Sequence, residues 1–141
     1  MGTWKEYDTT ADTGLEVFGC SREDLFATAA FAFTEMSTNP KSLDVGGIDG
    51  LKIECATDEN DIMFREMLEV LIYQLEVHDR LPIAIHNISF KEDTIFINII
   101  WGYWVDGQSE SRTEIKAVTY HELDVHKVKD GEWYGRVIFD I

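Results

Sequence analysis

Apolar residues recur along this chain in two rhythms, and each predicts a different element. From Leu15 to Phe18 apolar and polar side chains alternate as in a half-buried strand, and Trp4 to Tyr7 forms a short strand-like segment before it. Leu25, Ala29, Phe33 and Met36 follow at helical spacing, after a Ser21 that stands three residues before Asp24, a pattern that caps a helix start. Asn39-Pro40 ends that helix, since a residue before proline avoids helical backbone angles. A clearer stripe of Phe64, Met67, Leu68, Leu71, Ile72 and Leu75 predicts a second helix from Asp58 or Asp61 to about His78. Acids lie at its positive end, and Pro82 marks its finish.

Strand rhythm fills the remainder. DVGGIDG reads as a Gly-rich link into LKIECAT, where Leu51, Ile53 and Cys55 alternate towards one face. After Pro82 come IAIHNISF, TIFINIIWGYW, TEIKAVTY, LDVHKVK and EWYGRVIFDI. Asp130-Gly131, between the last two, predicts a two-residue hairpin, because a type I′ turn needs positive φ at both central residues. The expected fold is α+β: one domain over residues 1–141, an antiparallel-rich sheet with two main helices packed on it. No repeat, low-complexity tract or linker divides the chain. Its length suits one domain, burying roughly 68–70% of the unfolded surface.

Charge narrows the range of partners. Twelve Lys and Arg against 27 Asp and Glu leave a formal charge of −15. Such a surface repels phosphate backbones, so direct nucleic-acid binding is not expected, whereas a basic protein would be drawn to it. Cys20 and Cys55 form no CxxC or Cys/His cluster, which argues against a disulfide framework or zinc site and suits a reducing cytoplasm. No signal-peptide pattern or membrane-length apolar run is present. The Met-Gly start lacks the Ser or Thr that myristoylation requires, since Glu6 stands there; Asn87-Ile88-Ser89 is a glycosylation sequon only in a secreted protein.

Catalytic motifs are missing. There is no P-loop, G-x-G-x-x-G or G-x-S-x-G, and the glycines of DVGGIDG precede a strand rather than open a helix. His78, His86, His121 and His126 suit surface or hydrogen-bonded structural roles better than catalysis. Enzymatic activity is not expected. Carboxylates are abundant and hard cations want oxygen ligands, but no EF-hand loop exists, and DENDIMFRE is a solvated helix start. Asp140 differs because Ile141 follows it as the last residue. Its side chain and the Ile141 α-carboxylate can converge on one ion, which needs a further ligand. Asp12, within TTADTG, either caps its own turn by bonding a backbone amide or contributes an oxygen to such an ion.

Several segments together resemble the archease family across nearly the whole chain. YDTTADTGLEVFG is similar to that family's N-terminal Tyr/acid-His-Thr-Ala-Asp-x-Gly motif, Leu68 to Val77 to its central helix, and IKAVTYHELDV with WYGRVIFDI to its C-terminal signature. The resemblance implies a small, cytoplasmic, non-enzymatic activator of the RtcB-type tRNA-splicing ligase that promotes guanylylation and turnover. It implies a divalent cation, Ca²⁺ with Mg²⁺ or Mn²⁺ as alternatives, held by Asp12, Asp140 and Ile141. Lys116, Tyr120 and His121 fall on motif positions and are candidates for touching the partner. Thr9 departs from the pattern, standing where the family has His. The other function left open is a chaperone, or a modulator of tRNA methyltransferases or other RNA-processing enzymes, with a purely structural metal.

Overall fold

A computed structural model describes residues 2–9 and 11–141; Met1 of the Met-Gly start and Thr10 of TTADTG lie outside them. The elements run β1 (Thr3–Asp8), β2 (Asp12–Gly19), α1 (Arg22–Ser37), β3 (Asp44–Glu54), α2 (Asn60–His78), β4 (Arg80–Lys91), β5 (Thr94–Tyr103), β6 (Ala117–Val118), β7 (Asp124–Lys127) and β8 (Trp133–Asp140). The α+β reading holds, but the strands divide between two antiparallel sheets. One has the order β1-β2-β8, with β6 and β7 both pairing the far side of β8; the other has the order β3-β5-β4. Both helices touch both sheets and form the middle layer.

That position explains the composition of α1. A helix enclosed on several sides must be apolar nearly all round. Leu25, Phe26, Ala29, Ala30, Ala32, Phe33 and Met36 are all buried, and the alanines let neighbouring backbones approach closely. Ser21 caps the helix by accepting the Asp24 N–H at 3.0 Å, while the Asp24 carboxylate accepts the Cys20 N–H at 2.9 Å. Phe26 joins the layers, edge-on to Phe64 of α2 at 5.2 Å and to Phe90 of β4 at 4.8 Å. Truncating so large a buried ring costs about 3–5 kcal/mol.

Three expectations are corrected. DVGGIDG is not a link: it is the first part of β3, with a bulge between Val45 and Ile48. β3 lies on a sheet edge where Val45 and Ile48 are exposed, so the alternation that marks a half-buried strand is absent. Pro82 does not end α2, which stops at His78 with Asp79 in the left-handed region at φ 53; Pro82 lies within β4 beside a register shift. TEIKAVTY contributes only Ala117 and Val118 to a ladder. Its earlier residues continue an irregular segment fastened to the end of α1, where the N–H groups of Arg112 and Thr113 bond the carbonyls of Ser37 and Met36. Asp130 (φ 60) and Gly131 (φ 79) do take the positive angles expected of the hairpin, but its loop has three residues, Lys129–Gly131, enclosed by the Val128 N–H bond to the Glu132 carbonyl at 2.7 Å.

Candidate metal centre

The outer face of the five-stranded sheet is set by strand parity. In β2, Leu15 and Val17 point inward and are fully buried, so Asp12, Gly14, Glu16 and Phe18 alternate onto the opposite face. β8 pairs antiparallel with β2 and places Asp140 opposite Asp12, Ile138 opposite Gly14, Arg136 opposite Glu16 and Tyr134 opposite Phe18. Two predicted ligands from distant parts of the sequence are therefore direct cross-strand neighbours. Such pairs have Cβ atoms roughly 4.5–5.5 Å apart.

Two carboxylates facing each other repel unless something positive lies between them. Among the described residues neither Asp12 nor Asp140 makes an ion pair or a side-chain hydrogen bond. The turn before Asp12 is closed by backbone instead, through the Thr9 N–H to the Asp12 carbonyl at 3.2 Å. On the other side of Asp140 stands Ala117, whose small side chain leaves the row open. Ile141 follows directly and is exposed. A hard cation suits this oxygen donor set. Among the described residues no three His, Cys, Asp or Glu side chains gather as a metal-holding group, here or elsewhere, so the two aspartates need the Ile141 α-carboxylate as a further donor.

A polar ladder backs the pair. Glu16 accepts the Tyr134 hydroxyl at 2.6 Å and pairs with Lys5 at 3.4 Å. The hydroxyl bond, with Lys5 and Arg136 helping, holds the Glu16 carboxyl below the usual range despite some desolvation. Tyr134 is pushed well up, first by burial and then by the Glu16 carboxylate. Across β8 the row continues to Asp124, which pairs with His126 Nδ1 at 3.1 Å. Tyr7 lies opposite Gly14, where any Cβ would fall on the tyrosine ring, so the glycine of the TADTG motif is required by packing. Sequence reading missed this ladder, whose members come from four strands. Its only local signal is the polar alternation of β2 and β8.

The three other candidates do not gather around Asp12. The Lys116 backbone N–H bonds the Asp140 carbonyl at 2.8 Å, and its side chain is exposed. Tyr120 and His121 occupy the turn between β6 and β7, which is tied to Arg136 through the Glu122 carbonyl. Tyr120 is exposed beneath the Arg65 guanidinium, 4.0 Å from its ring centroid. Arg65 and Glu69 of α2 also grip the Val118 backbone, at 3.1 Å to its carbonyl and 2.8 Å from its N–H, fixing β6 beside Asp140.

The model of the Archease protein family (MTH1598/TM1083) matches residues 4–141. The chain belongs to this family. "Protein archease" of Thermoplasma volcanium is 31% identical, with 99% of each chain covered. "Protein archease" of Pyrococcus abyssi is 25% identical over the full length of both. The solution structure of Methanobacterium thermoautotrophicum protein 1598 has the same fold, with a TM-score of 0.76, 24% identity and 98% of each chain covered. No helix of this archease family member is long and apolar enough to cross a membrane among the described residues.

Proposed function

We propose that this archease family member is a non-catalytic, metal-binding activator of an RtcB-type tRNA ligase, promoting its guanylylation and turnover in the cytoplasm. The observation that carries this reading is the Asp12–Asp140 row across β2 and β8, whose carboxylates have no ion-pair partner among the described residues. These two carboxylates would hold a divalent cation, Ca²⁺ or alternatively Mg²⁺ or Mn²⁺, with the Ile141 α-carboxylate as the third donor. Such a cation lowers the cost of charge on phosphoryl oxygens when bound. The protein's own part is to hold both acids in register through the ladders on each side of β8, and to bring an acidic surface to a basic ligase. Single-turnover RNA ligation by the cognate ligase, across a divalent-metal series, tests this. Asp12→Ala is expected to abolish stimulation while the fold stays intact, and unchanged stimulation by that variant refutes the metal role.

The exposed Val45 and Ile48 on the β3 edge favour a second reading, a chaperone-like or methyltransferase-binding module with a structural ion. Extending the chain beyond Ile141 separates the two. It displaces the α-carboxylate, so it should cripple the metal-dependent activator and spare a surface-binding module.

A further inference from the structure

The C-terminal half of α2 and the irregular segment after β5 enclose a groove of about 540 Å³ that the metal reading does not use. Ile72, Leu75, Trp104 and Ile115 give it an apolar floor, and Glu76, Asp79, Asp106 and Glu114 stand along its lining. None of these four carboxylates makes an ion pair among the described residues. The single cation of the lining, Arg112, is spent on Glu35 at 3.2 Å. The segment that forms one wall is held in place: the Trp104 N–H bonds the Asp79 carbonyl at 2.7 Å, and the N–H groups of Arg112 and Thr113 bond the end of α1.

We propose that this groove docks a basic, partly apolar segment of a protein partner. The free carboxylates call for Lys or Arg side chains, and the floor calls for aliphatic or aromatic ones. Tyr73 and Val77, each 53% exposed, lie one step round α2 and continue the apolar surface past the groove, farther than a small cation would cover. A second copy of the chain, with its −15 charge, is repelled, and so is a phosphate backbone. This inference goes beyond the metal reading and stands without it.

The test is a titration of the isotope-labelled protein with a short synthetic peptide of alternating leucine and arginine, followed by NMR. Shifts are expected at Ile72, Leu75, Ile115 and the Trp104 indole. The combined variant Glu76→Gln, Asp106→Asn, Glu114→Gln should bind about tenfold more weakly, because each exposed charge pair contributes a fraction of that factor. A control carrying Glu54→Gln, Glu92→Gln and Glu132→Gln removes the same charge elsewhere and should stay within about twofold of the parent. Circular dichroism verifies that both variants fold. Shifts lying elsewhere, or equal weakening in both variants, overturn the proposal. So does equal affinity for a peptide with serine in place of leucine, equal affinity for spermine, or self-association abolished by the groove variant.

Discussion

Asp12→Asn is expected to stabilise the metal-free protein and to remove its response to metal. The change keeps the shape of the side chain and deletes one of two like charges facing each other across β2 and β8. Opposed cross-strand charges are worth roughly 0.2–1 kcal/mol. At about 2.1 cal/mol/K per residue, a chain of 141 residues unfolds with an entropy near 0.3 kcal/mol/K, so the variant should melt about 1–3 °C higher in chelator. On the proposed metal role, the parent should gain about 2.7 kcal/mol at a hundredfold excess of ion over Kd, or roughly 9 °C, because the ion would bind only the folded chain. Thermal denaturation followed by circular dichroism, with Ca²⁺ or chelator at matched ionic strength, measures both shifts. The matching removes general screening from the comparison. A variant that melts lower than the parent in chelator, or keeps its Ca²⁺-dependent rise, refutes the reasoning.

Gly14→Ala should destabilise by roughly 1–3 kcal/mol in urea titrations, since the added methyl lands on the Tyr7 ring, and Tyr7→Ala should recover part of that loss. Tyr134→Phe should cost about 1 kcal/mol at neutral pH by taking the hydroxyl from a partly exposed Glu16 carboxylate. Because the folded Glu16 value is depressed, its stabilisation is fully present above the ordinary 4.5 and is lost as pH falls through the lower folded value. Parent and Tyr134→Phe stabilities should therefore converge in acid, as denaturant midpoints against pH would show. A thiol reagent at neutral pH should modify exposed Cys20 and spare Cys55, whose thiol burial pushes up to about 11; mass spectrometry of native and denatured samples checks this.

The helices were legible because each carries a stripe at helical spacing and α1 also carries its cap. Asp130-Gly131 was legible because the required backbone angles select those residues. β3 was not, since an edge strand with exposed Val45 and Ile48 shows no alternation and its glycines imitate a linker. TEIKAVTY has strand rhythm, but its first residue, Thr113, bonds with the preceding Arg112 to the end of α1, a tertiary choice that no local pattern records. Asp12 and Asp140 became a pair on paper only through family resemblance, and their register depends on every β2–β8 contact between them. The groove draws on α1, α2 and the segment after β5, segments whose separate patterns carry no sign that they meet.

The pairing of β2 with β8 also bears on the order of events during folding. Until β8 arrives, β1 and β2 are a two-stranded ribbon, which is marginal in water. Closing the sheet joins segments separated by most of the chain, a non-local step that slows folding. If that closure comes after the rate-limiting barrier, an ion seated between Asp12 and Asp140 would leave the folding rate nearly unchanged and act as a brake on unfolding. The carboxylate pair would then serve as a latch on a finished fold, prolonging its lifetime without hastening its formation.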